Sequence, residues 1–207
     1  QKSAKARLQA FINNYPQSGY SNEAQNLLGE LLLNTKNYQR ALSIIEEVPN
    51  LNKQMQKAYQ QIAFKRGLEL YQDQAYKNAR ELFIKALQNP IKPTFKTLSY
   101  FWLGESYYHI GTYSKAIRAF KNFLYQDEAK ATKHYAVASY NIGYSHFKTE
   151  AYASAIEHFR DYLERGSDAA DNLKYTDALV RMADCYFAEA NYDKASEFYD
   201  KVIQRDQ

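Results

Sequence analysis

Large apolar side chains recur along this chain three and four residues apart, the spacing that gathers them on one face of a helix. The pattern itself repeats. Gly29, Gly67, Gly104, Gly143 and Ala183 follow one another at intervals of 38, 37, 39 and 40 residues. Nine residues after each stands a tyrosine (Tyr38, Tyr76, Tyr113, Tyr152, Tyr192), and twelve after each an alanine (Ala41, Ala79, Ala116, Ala155, Ala195). Four residues beyond every alanine comes a bulky side chain, Ile45, Phe83, Phe120, Phe159 or Tyr199, and three further on Val48, Ala86, Phe123, Tyr162 or Val202. Periods of this length mark an array of supersecondary units. They predict helix pairs over residues 22–49, 52–89, 94–126, 131–165 and 169–205, preceded over 1–15 by the second helix of an earlier, truncated pair with Ala4, Leu8 and Phe11 as its inner face. Pro16, Pro49, Pro90 and Pro93 are expected after helix ends, where a missing N–H and a fixed φ are tolerated.

Small residues on both helices of a pair let two antiparallel backbones approach closely, while aromatic side chains fill the grooves and the tyrosine seals the turn. A hairpin built this way keeps one apolar face uncovered, so hairpins must stack, and the expected fold is an all-α, right-handed solenoid forming one array over 1–207. The segments SYFWLGESYYHIGTYSKAIRAFKNFL and SYNIGYSHFKTEAYASAIEHFRDYL resemble the tetratricopeptide repeat, and the resemblance covers nearly the whole chain. It departs from the family in two respects. Its periods exceed the usual length of about 34, which implies helices longer by about a turn. Arg66 stands where an apolar residue is expected before Gly67, which predicts looser packing of the second pair on its first helix. The run LQAFINNYPQSGYSNEAQNLLGELL resembles the Tyr-Pro-x-Ser linker of bacterial periplasmic tetratricopeptide proteins, such as the outer-membrane assembly lipoprotein and the Tol-Pal coordinator. That second resemblance implies a place in the bacterial cell envelope, at the periplasm or the outer-membrane periphery, with the cytoplasm kept open.

Composition agrees with helical hairpins. Seven Gly and four Pro argue against a turn-rich β fold, and 20 Tyr with 11 Phe supply large contacts. At 207 residues the chain buries a core without staples, and no apolar run approaches the roughly 20 residues of a membrane helix. Cys185, the single cysteine, excludes an internal disulfide and a cysteine-based zinc site. Net charge is +4, but residues 1–130 carry 18 basic and 10 acidic side chains against 9 and 13 in 131–207, so the chain is electrically polarised. No block of like charges marks a nucleic-acid tail or a polybasic membrane patch. The chain opens at Gln1 within a helical pattern, and reads as part of a larger protein.

No phosphate loop, GxSxG elbow or HExxH occurs, so no catalytic residue, cofactor or metal is assigned, and a non-enzymatic role is expected. His146 takes the slot held by Leu32, Leu70, Tyr107 and Tyr186 and reads as a packed imidazole with one hydrogen-bonded nitrogen; His134 falls at a helix start and His158 on an outer face. Glu105 and His109 share a helical face, but two candidate ligands do not make a metal site. Cys185, beside Asp184 and without a basic neighbour in sequence, reads as a packing thiol.

In the family that the repeats resemble, the first helix of each pair lines a concave groove. Carried onto this sequence, that implies a partner-binding groove of Phe64, Tyr71, Phe101, Glu105, Tyr108, His109, Tyr140, Tyr144, Phe147, Lys148, Arg181 and Phe187. Phe101, Tyr140 and Phe147 read either as packing between pairs or as part of that groove, and Tyr108, Tyr140 and Tyr144 are expected to leave exposed rings that grip an extended or helical peptide. A clamp for C-terminal carboxylates, known in one subclass, is matched in type by Asn141 and Arg181, but Phe101, Glu105 and Asp177 stand where basic or amide residues are wanted. An internal segment of a protein partner, held by apolar contact, suits such a mixed groove. The expected function is a binding scaffold. The alternative is a rigid spacer or head-to-tail self-assembly module, the basic N-terminal part of one copy meeting the acidic C-terminal part of another; basic residues too scattered for a stripe argue against nucleic acid.

Overall fold

The structure, a computed structural model, describes residues 4–165 and 172–205. Among the described residues there is no strand, and eleven α-helices follow one another: α1 (Ala4–Asn14), α2 (Ser21–Leu33), α3 (Tyr38–Glu46), α4 (Lys53–Gln72), α5 (Tyr76–Gln88), α6 (Pro93–His109), α7 (Tyr113–Leu124), α8 (Tyr135–Phe147), α9 (Tyr152–Arg165), α10 (Asn172–Ala188) and α11 (Tyr192–Arg205). The chain divides into two compact units, 1–102 and 103–207, the division falling inside α6. In the first unit α4 pairs with α5, α1 packs on α2, and α2 and α3 both pack on α4; in the second, α8 pairs with α9 and α10 with α11, while α7 packs on α8 and α9 on α10. The fourth pair starts at Tyr135 because Asp127–Ala131 forms a 3₁₀ turn that buries Ala129. Residues 1–3 and 169–171 of the expected helices lie outside the described residues. The added length sits in first helices: α4 has 20 residues and α6 and α10 have 17 each.

The repeated small residue works through a partner other than the expected one. A Cβ at Gly67 would lie 2.7 Å from the ring of Phe83, one at Gly104 2.7 Å from Phe120, and one at Gly143 2.8 Å from Phe159. The facing group is therefore the aromatic ring four residues after the alanine, which packs directly against glycine and is fully buried in all three pairs. Around these rings the first unit buries Leu28, Leu32, Ile45, Met55 and Ile62, and the second Phe123, Ile142 and Met182. Where the second helix offers Ile45 instead, the nearest atoms to such a Cβ at Gly29 come from α4, at an ordinary 3.7 Å. Arg66 does not loosen the second pair as expected. Its guanidinium turns to Glu69 at 2.9 Å, leaving the Gly67–Phe83 contact as close as in the third and fourth.

Each turn after the first is closed twice over. The residue seven after the slot is left-handed (Gln74, Gly111, Glu150 and Ala190, φ 58 to 78°), and the next N–H reaches back to a carbonyl five residues earlier, as in Ala75 to Leu70 at 2.8 Å and Asn191 to Tyr186 at 2.8 Å. This is the Schellman way of satisfying the last helical carbonyls. The repeated tyrosine then starts the second helix and meets the aromatic residue four after the slot: Tyr71–Tyr76, Tyr108–Tyr113, Phe147–Tyr152 and Phe187–Tyr192 have ring centroids 5.2, 5.5, 6.0 and 5.3 Å apart. Linkers are tied down by buried amides in the first unit. Gln60, wholly buried, donates to the Lys92 carbonyl and accepts from the Lys92 N–H at 3.1 and 2.7 Å, and Gln25 accepts from the Asn52 N–H at 2.9 Å. Of the four prolines, Pro93 departs from expectation: it is the first residue of α6, where its missing N–H costs no intrahelical bond.

Candidate functional site

The first helices of the second unit bring together a polar and aromatic cluster on one face. From α8, the Tyr140 hydroxyl donates to Asp177 Oδ2 at 2.8 Å and Tyr144 donates to the same oxygen. From α10, the Arg181 guanidinium donates to the Tyr144 hydroxyl at 3.0 Å, lies 3.4 Å from Asp177 Oδ1, and donates to Asp184 Oδ2 at 2.7 Å. Tyr199 of α11 donates to the other oxygen of Asp184 at 2.7 Å. On the α6 side, Asn141 donates to Glu105. The guanidinium of Arg181 also lies over the rings of Tyr144 and Phe147, at 5.9 and 5.8 Å from their centroids. Charge-assisted bonds of this kind are the stronger class, and a guanidinium stacked on rings is held in one orientation.

Repeat geometry explains why these residues meet. Asn141 and Arg181 stand two residues before their slots, and Glu105 and Tyr144 one residue after the slots of the preceding repeats. Successive first helices are therefore staggered so that position −2 of one reaches position +1 of the one before. Burial raises the Tyr140 hydroxyl pKa, and the bond to Asp177 raises it further; Tyr144 is raised by the same two causes in the same order. Burial and the neighbouring Tyr113, Tyr144, Glu105 and Asp177 push Tyr108 up to about 12. All three remain protonated donors at neutral pH. Burial alone would lower Arg181, but the Tyr144 hydroxyl and the two aspartates raise it on balance, so the guanidinium stays charged.

The expected groove residues divide between the two units. Phe64 and Phe101 are core, 5% and 3% exposed: Phe64 packs against Phe83 and Phe95, and Phe101 against Trp102. Tyr71 packs on Tyr76 and Trp102. Phe64 and Phe101 are assigned to packing, correcting their place in a partner-binding groove, while Tyr71 is half-buried. In the second unit Glu105, Tyr140, Tyr144, Phe147 and Arg181 join the cluster, while His109, Lys148 and Phe187 are exposed, Phe187 at 59%. The expectation of exposed rings at Tyr108, Tyr140 and Tyr144 is corrected as well. All three are half-buried, and Tyr140 is wedged against Phe159 and Tyr162 at 5.9 and 5.1 Å. The hydroxyls of Tyr140 and Tyr144 carry the hydrogen bonds to Asp177, and the face of Tyr144 carries Arg181.

Two residues central to the cluster escaped the sequence. Asp177 appears there only as an obstacle to a carboxylate clamp, and Tyr199 only as a packing residue; spacings of 37 and 33 residues from Tyr140 and Tyr144 to Asp177, close to the repeat period, are the signal that points to it. His158 is not on an outer face, and His146 is not hydrogen-bonded through Nε2; their rings stack on each other. Cys185 is fully buried, and burial with Asp184 and Glu189 pushes its thiol up to about 12, as befits an inert packing group. Among the described residues no group of three or more His, Cys, Asp or Glu is placed to hold a metal, and no helix is long and apolar enough to cross a membrane. A cleft of about 660 Å³ opens in the first unit among α1, α2 and α3, with Lys5, Asn37, Arg40 and Glu47 on its walls.

Stacked hairpins with this slot, this turn and this aromatic seal define a tetratricopeptide-type α-solenoid. The sequence profile of the tetratricopeptide repeat matches residues 98–128 and 177–206, the third and fifth hairpins. Solved structures agree over nearly the full length. MamA from Desulfovibrio magneticus is 16% identical over 90% of this chain and 96% of its own, with a TM-score of 0.59. YrrB, described as a TPR protein with an unusual peptide-binding site, is 18% identical over 98% and 93%, with a TM-score of 0.59. BtubC from P. vanneervenii is 14% identical over 97% and 86%, with a TM-score of 0.61. At these identities the likeness shows the fold. No curated protein matches the chain.

Proposed function

We propose that the chain is a non-enzymatic binding scaffold, part of a larger bacterial tetratricopeptide protein of the cell envelope, and that it holds a partner polypeptide on the first-helix face of its second unit. The observation that carries this reading is the network of Tyr140, Tyr144, Asp177, Arg181, Asp184 and Tyr199. It fixes donors, acceptors and aromatic edges in place before any partner arrives, so binding spends little ordering entropy on them. Lys148, exposed at the C-cap of α8, and Phe187, exposed on α10, supply a cation and an apolar anchor. YrrB, with the same fold, is described as having a peptide-binding site, which supports a peptide as the ligand class here. The envelope location rests on the Tyr15–Pro16 linker. Selection of a random-peptide display library on the full chain tests the reading: it predicts enrichment of segments mixing apolar and polar residues, and a library that yields no binder contradicts it.

A second reading, head-to-tail self-association, is favoured by the charge polarity and by Phe187, Tyr199 and Ile203, exposed at 59, 37 and 56%. Such a contact is electrostatic and heterologous, so light scattering should show assemblies that dissolve as salt shortens the screening length below about 10 Å. A monomer at every ionic strength removes it.

A further inference from the structure

Two positions recur in every hairpin, three residues after the slot on the first helix and fifteen after it on the second, and in the fourth and fifth hairpins they meet. They carry Leu32 and Ile44, Leu70 and Leu82, Tyr107 and Ala119, and Tyr186 and Phe198, apolar or aromatic on both sides. In the fifth pair the Tyr186 and Phe198 rings lie 5.5 Å apart. The fourth pair places His146 and His158 there, with centroids 5.5 Å apart and planes parallel to within 2°. Nε2 of His146 and Nδ1 of His158 are shut off from solvent and make no hydrogen bond. The charged groups around them are Lys121 of α7 and Glu157, Asp161 and Arg165 of α9, with Asp161 Oδ2 4.0 Å from His158 Nδ1.

We propose that this imidazole pair is a pH-sensitive latch: neutral, it closes the α8–α9 hairpin, and protonated, it loosens that hairpin together with the face carrying Tyr140, Asn141, Tyr144 and Phe147. Stacked neutral rings stand in for the Tyr186–Phe198 contact of the fifth hairpin. Two protonated rings would set like charges against each other beside Lys121, with buried N–H groups unpaired, and that is costly in a low dielectric. A single proton on His158 has Asp161 to meet at 4.0 Å, and Glu157 favours a proton on either ring, but a second proton sets the two stacked rings against each other beside Lys121. Burial holds both histidines below their ordinary value of 6.5, with Lys121 acting in the same sense on each. The sign follows from linkage: the unfolded chain takes up these protons near 6.5 and the folded one only below it. The latch's contribution is therefore full above 6.5 and is lost as pH falls through the folded values. That the latch governs binding rests on the reading of this face as the peptide site.

The test is amide hydrogen exchange across α8 and α9, with imidazole titration by NMR, on the chain and on the doubly substituted His146→Leu, His158→Leu variant, which copies the second hairpin. Between about pH 7.5 and about pH 5.5, α8–α9 protection, corrected for intrinsic exchange, should fall by up to about tenfold per histidine in the parent and stay level in the variant. Equal behaviour of the two overturns the proposal. If the variant fails to fold, the parent's titration decides alone: both imidazoles titrating at the ordinary value overturn it. No peptide enters this experiment, so its failure leaves the binding reading standing, and a failed peptide selection leaves the latch standing.

Discussion

At Gly67, Gly104 and Gly143 the backbone is bare because a phenylalanine ring occupies the space a methyl group would fill. Gly104→Ala forces Phe120 off its seat in a packed core and should cost about 1–3 kcal/mol, whereas Gly29→Ala, with 3.7 Å of room and a gain in helix propensity, should be neutral or stabilising by up to about 1 kcal/mol. Paired thermal melts of the two variants check this, and equal losses would contradict the account of the slot. The sequence shows this slot as glycine but not what fills it, because four residues from alanine to phenylalanine fix a helical face and not the depth of the ring. Asp177 was legible as an acidic residue on the inner helix, yet its role depends on two hydroxyls from another helix. Tyr140 and Tyr144 were placed on the right helix with the wrong exposure, since a tyrosine at this spacing serves packing and hydrogen bonding at once.

Helices and turns followed the repeat closely, except where the chain used atypical residues to do a standard job. Three of the four left-handed positions that close these hairpin turns carry Gln74, Glu150 and Ala190, so the Schellman turn is hidden from a search for glycine. Holding a side chain in that conformation costs about 1–2 kcal/mol, and Ala190→Gly should return roughly 0.5–1 kcal/mol of it after the added freedom of the unfolded chain is counted. Chemical denaturation of the single variant measures it; a loss of stability would mean that the turn is not left-handed there. Gln25 and Gln60 were likewise silent in the sequence. A buried amide that pairs with a linker backbone follows no hydrophobic period, and only the linker's position reveals why it is polar. The paired histidines belong to the same class: each looks unremarkable alone, and the meaning lies in their meeting across the hairpin.

Each unit buries the apolar faces of its own hairpins, and the proposed function uses the exposed part of the first helices in the second unit. The repeat period alone defined the fold class, because a hairpin with one bare face has few ways to be stable other than stacking. The partner is written nowhere in that period; in the proposed reading it is set by exposed side chains such as Lys148 and by the uncovered part of Phe187, whose other edge seals the turn against Tyr192. The central claim, that a polypeptide docks on the first-helix face of the second unit, is tested most directly by titrating a library-selected peptide into the parent and into the Lys148→Glu, Phe187→Ala double variant by calorimetry, with melting curves alongside. Weakening by about tenfold or more is the predicted result, with a cooperative melt lowered only by the loss of the Phe187–Tyr192 contact. Undiminished binding to the double variant would place the docking surface elsewhere and contradict the account.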